Sequence, residues 1–386
     1  MILLAVLAGI VAGCITGLTP GLHVNLVAAL ILSVSLYVTV PAPVATVFVL
    51  AMSIVHTFVD AIPALLFGVP DPSFALLPQH RLLHKGLGYE AIKLLTLGGV
   101  MGSCCALLLL PFLIVLSYVL EFVTVVLPFI VLGVLVVMIA VDGNKMISLP
   151  IVFAAGALGF LVLESVTEPL FVLFTGLFGI SGLLLALVSS TSIPRQRISS
   201  MMLSRKRDRP VLLLSTLCAS CCTMLPGVGS AMAAFLVQRL TRKSSFVSYL
   251  LAVGAINTVG ALAAMVLWFV VLKARTGALL VVDQFARPSA IMTLVLVVII
   301  SVSIGAVLTL TIAKYFLRVL RSSWQSSVCV VLLLLLVALT GLLSGTRGLL
   351  ALVAASCLGV VTIILGARRS LLMSCLILPL SLRALA

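Results

Sequence analysis

Acidic residues are scarce in this chain, nine Asp and Glu among 386 residues against 23 Lys and Arg. Charged residues of both signs make up only 8% of it, where soluble domains carry roughly 25%, and this excludes an ordinary water-soluble fold. Aromatics reach 6%, too few for the interfacial girdles of an outer-membrane barrel. No Gly-x-x-x-x-Gly-Lys-Ser/Thr run is present to hold a nucleotide, and no His-Glu-x-x-His pair is present to hold zinc. The opening "MILLAVLAGIVAGC" has no Lys or Arg and runs straight into a Pro-Gly pair, which disfavours a cleaved signal peptide.

What the chain does have is apolar length. Hydrophobic residues make up 63% of it, with a mean hydropathy of +1.42. Apolar segments fall near 1–18, 22–40, 43–60, 94–119, 122–141, 146–164, 168–188, 211–223, 228–239, 246–272, 289–313, 326–343, 347–366 and 370–386. Most match the roughly 20 residues a helix needs to cross about 30 Å of hydrocarbon. The expected fold is an all-α polytopic, multi-pass protein of a prokaryotic plasma membrane, with about 10–12 transmembrane segments.

The net charge of +14 does not point to nucleic acid, because the basic residues gather in short loops between apolar segments. These loops are His80 to Lys93, Arg195 to Arg209, Arg239 to Lys243, Lys314 to Arg321, and Arg368-Arg369. Counting segments between them keeps every basic loop on one side, the cytoplasmic side by the positive-inside rule. Glu164 and Glu168 then face water on the other side. The nine cysteines lie mainly within apolar segments. Cys218-Ala-Ser-Cys221 makes a C-x-x-C pattern with no further Cys or His cluster nearby, so buried free thiols are the expectation.

Between Arg209 and Arg242 the chain must enter the membrane and return to the same side, with Leu-Pro-Gly-Val-Gly near the middle. A re-entrant helical hairpin satisfies this. The stretch "GCITGLTPGLHVNLVAAL" (residues 13 to 30) has the same form, and "GLTPGLHVNLVAAL" aligns with "TMLPGVGSAMAAFL". The loop count gives the two hairpins opposite orientations, the mark of an inverted-topology repeat and of secondary transporters. The expected organisation is an N-terminal membrane repeat over 1–190, a basic cytoplasmic loop over 191–210, and a C-terminal membrane repeat over 211–386.

Pro ends the incoming helix and Gly permits the turn, so the helix that restarts presents free N–H groups and a positive dipole end. Such an end inside a membrane is suited to an anion, and the broken backbone must line a cavity. The candidate substrate-binding residues are therefore Thr19, Pro20, Gly21, Leu22, His23 and Asn25 at the first break. At the second they are Pro226, Gly227, Val228, Gly229 and Ser230, with Asn257 on the following segment. His23 and Asn25 could equally mend broken backbone groups. Asp60, with His56 one turn before it on the same face, is the candidate ion-coupling pair, since ionisable groups in spans mark ion or proton paths. The run "FGVPDPS" (Phe67 to Ser73) is a rigid turn at the cytoplasmic boundary or the inner closure of the cavity. His80 and His84 are expected on a solvated face.

Two longer runs, "GLTPGLHVNLVAALIL" and "HTFVDAIPALLFGVPDPSFALLPQHRLLHKGLGYEAIKLLTLGG", resemble the large membrane subunit of tripartite tricarboxylate transporters, the TctA family, in its shorter archaeal-type branch. "TMLPGVGSAMAAFL" fits the same family's repeat. The resemblance implies a secondary-active permease rather than an enzyme, taking up a di- or tricarboxylate with a proton or sodium gradient and needing no bound cofactor or metal. It also implies a small membrane subunit and an extracytoplasmic binding protein as partners, beside the bilayer and the organic anion; a homodimer is the expected assembly. The chain departs from the bacterial pattern at His23 and Asn25, which puts a citrate-like cargo and the binding protein in question. Two other readings stay open from the residues: translocation of a lipid-linked phosphate, which calls for a deep Lys or Arg, and an intramembrane enzyme, which calls for a third group converging on His56 and Asp60.

Overall fold

The computed structural model describes residues 1–19, 24–25, 27–28, 31, 41–66, 78–122, 126–142, 144–188, 194–198, 210–224, 230–241, 245–285, 291–319 and 322–385. Every regular element among them is helical, as a bilayer demands, because only a helix satisfies its own backbone groups away from water. Among the described residues seven helices are long and apolar enough to cross a membrane: Ala42–Leu66, Gly88–Leu108, Lys145–Ser165, Pro169–Val188, Phe246–Val271, Ile291–Arg318 and Ser326–Ile364. Ile2–Leu18, Leu110–Val119 and Pro210–Met224 are shorter apolar helices. The chain is an all-α polytopic membrane protein.

The helices sort into two compact units, each drawing on both halves of the sequence. The first begins with α1 (Ile2–Leu18), α2 (Ala42–Val59), α3 (Ala61–Leu66), α4 (Pro78–His84), α5 (Gly88–Leu108) and α6 (Leu110–Phe122). The second takes α7 (Leu127–Val141), α8 (Lys145–Ser165), α9 (Pro169–Phe174) with a π-helical stretch Thr175–Ile180, and α10 (Ser181–Val188). The chain then returns to the first unit for α11 (Pro210–Met224), α12 (Ser230–Leu240), α13 (Phe246–Val271), α14 (Gly277–Phe285) and α15 (Ile291–Val319). It ends in the second with α16 (Ser322–Ile364), a 3-10 turn Arg369–Met373, and α17 (Ser374–Leu385).

Small residues set the packing of the first unit, as they do where lipid removes the hydrophobic drive between helices. Gly9, Gly13 and Gly17, four apart on one face of α1, let it lie directly on α2. A Cβ on Gly9 would stand 2.4 Å from the Phe48 carbonyl oxygen, and one on Gly13 2.7 Å from that of Met52. A Cβ on Gly17 would stand 2.8 Å from the Cβ of Val59, so the two helices run parallel. Gly98 of α5 and Gly254 of α13 press on each other's helices as closely, their virtual Cβ atoms 2.1 Å from Leu251 O and 1.9 Å from Leu95 O.

Two of the basic loops meet. The Arg197 N–H donates to Gly86 O at 2.8 Å, and the Gly88 N–H donates to Gln196 Oε1 at 2.8 Å. Gln196 Nε2 donates in turn to Leu83 O at 3.0 Å. Residues 194–198 are thereby strapped to the α4–α5 turn, which puts Arg195 and Arg197 beside the stretch that follows His80. The same region corrects the expectation of a solvated histidine pair. His80 is 3% exposed, with Nε2 3.3 Å from Ala64 O, because the end of α3 packs over it. Glu90 and Lys93, read as loop residues, instead open α5 as a buried ion pair, with the Lys93 ammonium 5.4 Å from the centre of the Tyr89 ring.

In the second unit α16 folds back on itself at Gly345 (φ +59°, ψ −157°), a conformation that costs glycine little and other residues much. Leu349 returns against Gly341, a Cβ on which would lie 3.7 Å from Leu349 Cδ1. The wide π-helical stretch is closed by Arg369, whose Nη2 donates to Phe178 O at 2.6 Å and whose guanidinium lies 5.6 Å from the Phe178 ring centre. Burial pulls the Arg369 pKa below the ordinary guanidinium range. Glu164 is exposed and pairs with Arg383 at 2.7 Å, and Glu168 is also exposed.

Candidate functional site

The helix that begins at Ala42 turns at Asp60. Pro63 has no N–H to return to Val59 O, so the regular ladder cannot pass that point, and α3 restarts at Ala61. The interruption leaves the Thr57 carbonyl to accept from Asn257 Nδ2 of α13 at 3.0 Å. The same Nδ2 donates to both Asp60 carboxylate oxygens, at 3.2 and 3.1 Å, and the Ala61 N–H donates to that carboxylate as well. One asparagine thus pins the two crossing helices together around the acid.

The pair lies on partly exposed faces of both helices. Between Val247 and Trp268 of α13, only Tyr249, Val253, Asn257 and Ala261 are not buried, a spacing of four that traces one face of the helix. Between Val49 and Asp60, only Ser53, His56, Thr57 and Asp60 escape burial, again on one face. His56 Nδ1 lies 3.1 Å from Thr16 Oγ1, and that hydroxyl donates its own hydrogen to Gly13 O at 3.2 Å. With that hydrogen on Gly13 O, Thr16 Oγ1 is an acceptor for His56 Nδ1.

The geometry reveals a correspondence between the two crossing helices. "LAMSIVHT" (Leu50 to Thr57) matches "LAVGAINT" (Leu251 to Thr258), which sets His56 against Asn257 and Thr57 against Thr258. The Thr57 and Thr258 hydroxyl oxygens lie 3.4 Å apart, as equivalent residues do across a local two-fold axis. Two residues on, Val59 corresponds to Gly260. Val59 packs on Gly17, three residues before Pro20, and a Cβ on Gly260 would stand 2.9 Å from Thr223 Oγ1, three residues before Pro226. The small and large partners are exchanged between the two contacts, but the contact is the same. Each arm leading into a Pro-Gly break thus ends against its own crossing helix, within one turn of the Asp60–Asn257 pair.

His56, Asp60 and Asn257 are brought together on these two helices. Asn25 has a different duty: its Oδ1 accepts the Ala278 N–H at 2.9 Å, and with Thr276 Oγ1, 3.2 Å from the Leu279 nitrogen, it caps α14. Thr19 closes α1, its hydroxyl donating to Ile15 O at 2.9 Å. Ser230 opens α12 and is exposed. Pro20, Gly21, Leu22 and His23, Pro226, Gly227, Val228 and Gly229, and the Phe67–Ser73 run lie outside the described residues. Thr16, Thr57, Thr223 and Thr258 were not singled out by sequence reasoning; the repeated "LA…T" run, eight residues long in each half, was the available signal for two of them. Among the described residues no three His, Cys, Asp or Glu side chains gather as metal ligands do.

Comparison with known proteins agrees with this architecture. Residues 3–374 match the model of the family described as "Tripartite tricarboxylate transporter TctA family". An uncharacterized protein of Methanocaldococcus jannaschii is 26% identical over 291 residues, which cover 71% of each chain. No solved structure matches.

Proposed function

This chain belongs to the tripartite tricarboxylate transporter TctA family, and from that membership we propose that it carries a di- or tricarboxylate across a prokaryotic plasma membrane. The family is one of transporters, so the chain is a transporter component rather than an enzyme. The anion is held between the two Pro-Gly breaks, where restarted helices turn N–H groups and positive dipole ends toward it. Transport is secondary, driven by an ion gradient through Asp60 and His56. A small membrane subunit and an extracytoplasmic binding protein are its partners.

The observation that supports this reading best is the convergence of both arms on one pair. Gly17 packs on Val59 beside Asp60, and Thr223 packs on Gly260 one turn from Asn257. A carboxylate in a membrane span is costly and is retained where an ion is handled. Coupling requires the ion's residue and the cargo's residues to sense each other, and the packing of both arm ends within a turn of Asp60 and Asn257 supports that.

Proteoliposomes holding the chain and its partner subunits should accumulate labelled citrate or succinate when a proton or sodium gradient is imposed. Asp60→Asn should stop the accumulation, yet the same carboxylates should still raise the melting temperature of the purified variant. If neither acid stabilises the protein or enters the vesicles, the reading is wrong.

A further inference from the structure

The orientation of Asn257 bears on which ion Asp60 takes, a question that rests on the ion-coupling role just proposed. Thr57 O can only accept a hydrogen bond, so the atom of Asn257 facing it at 3.0 Å is nitrogen, and the amide cannot be turned over without losing that bond. With the amide so held, its NH2 group also meets both Asp60 oxygens, and the Ala61 N–H approaches the same carboxylate. Asp60 is ringed by hydrogen donors.

A hard metal cation needs the opposite environment, a cage of several oxygen atoms. Among the described residues the neighbouring hydroxyls already take part in hydrogen bonds. The Thr57 hydroxyl donates to Ile54 O at 2.7 Å and lies 3.4 Å from Thr258 Oγ1, and Thr16 Oγ1 is shared between Gly13 O and His56. Asn257 could lend Oδ1 to a cation on Asp60 only by abandoning Thr57 O and directing its NH2 hydrogens elsewhere. A proton asks for none of this. It bonds to one carboxylate oxygen, takes the charge from −1 to neutral, and leaves the Asn257 hydrogen bond on the other oxygen in place.

The surroundings of α2 carry no counter-charge bonded to Asp60 among the described residues. The helices packed on α2 bring Cys14 from α1, Tyr249 from α13, Asp283 from α14, Lys314, Tyr315 and Arg318 from α15, and from α5 Cys104, Cys105 and the Glu90–Lys93 pair. Asp283 accepts from Trp268 Nε1 at 2.8 Å, and the α5 pair is internal. On α2 itself His56 is the titratable neighbour, one turn away. Toward the basic side, the face of α13 that carries Asn257 borders a cavity of about 10 Å³, lined by Gln238, Thr241, Ser248 and Tyr249. That volume is about that of one water molecule.

We infer that the ion taken at this site is a proton, bound covalently to the Asp60 carboxyl, and that sodium is not its ligand. Both protonation and release conserve atoms: H+ adds to the carboxylate on one side and leaves it on the other, with the cargo present.

Infrared difference spectroscopy on the purified full-length protein tests this without any cargo. Lowering the pH should raise the C=O stretch of a protonated carboxyl with the same midpoint in sodium chloride and in choline chloride. Asp60→Asn should remove that band and Asp60→Glu should keep it at a shifted frequency, so the assignment survives if the first variant folds poorly. A midpoint that falls by about one pH unit for each tenfold rise in sodium, as competition at one site requires, would overturn the inference, as would the absence of any Asp60-dependent band. Failure of carboxylate uptake with the band intact would instead sink the transport reading alone.

Discussion

Thr57 and Thr258, 201 residues apart in sequence, place their hydroxyl oxygens 3.4 Å apart where the two crossing helices meet. They occupy the same position in matching runs, "LAMSIVHT" and "LAVGAINT". The match makes the neighbouring differences informative: His56 answers to Asn257 and Asp60 to Ala261, so the acid lies on one of the two matched helices while its amide partner comes from the other.

The exchanged packing at the two arm ends can be tested directly. Gly17→Ala puts a Cβ 2.8 Å from that of Val59, and overpacking of this kind costs about 1–3 kcal/mol. Adding Val59→Gly, which removes that Cβ as Gly260 lacks one at the other arm, should recover part of the loss. A double-mutant cycle on thermal stability in detergent reads the coupling, and strictly additive effects would contradict the contact.

Asn25 separates capping from cargo binding. Asn25→Ala removes the acceptor for the Ala278 N–H and should lower stability by about 1 kcal/mol. Asn25→Asp keeps an acceptor and adds a charge that the N-terminus of α14 favours. An Asp variant that is stable and still shifted in melting temperature by citrate or succinate fits a cap; one that is stable but no longer responds to either acid means the side chain meets the anion.

Asn257→Ala deletes the bonds to Thr57 O and Asp60, leaving a carboxylate without its interhelical partner. Polar contacts between membrane helices average about 0.6 kcal/mol and reach about 1.7, and the loss of a carboxylate's partner belongs at the upper end. Chemical denaturation in mixed micelles should register that loss, whereas Val253→Ala, one turn earlier on the same face, should cost less.

Gln196→Ala releases residues 194–198 from Leu83 O and the Gly88 N–H. Trypsin should cut faster after Arg195 and Arg197, with the unfolding temperature of the helical core nearly unchanged. Equal cleavage rates in the two proteins would show that the strap does not protect this loop.

In the second unit, Arg369→Met leaves Phe178 O without its donor in the π-helical stretch. A buried carbonyl that loses its partner costs about 1–3 kcal/mol. Arg369→Lys should restore part of that, since an ammonium can donate once where the guanidinium fork donates more.

Much of this was legible in the residues. Apolar length forces helices in a medium that cannot satisfy backbone groups, so the all-α membrane fold followed from composition and segment length alone. Asp60 and His56 stood out because an acid in an apolar span has few bland explanations. The buried state of His80 and the Glu90–Lys93 pair was not legible, because both lie in a stretch whose charge reads as solvated loop until the neighbouring helices are seen to cover it. Nor was the cap made by Asn25 on a helix about 250 residues away, since hydrogen bonding between distant segments leaves no local pattern.

The opening stretch "GLTPGLHVNLVAAL" by itself determined that a helix must stop at Pro20 and that the chain resumes with polar residues where lipid would penalise them. Tertiary structure decided what lies beside the stop. The glycines of α1 allow an approach to α2 that larger residues would prevent, and that approach brings the end of α1 to Asp60. The partner of Asp60 comes from α13, chosen by the close glycine-mediated packing of helices far apart in the chain, which sequence periodicity cannot encode.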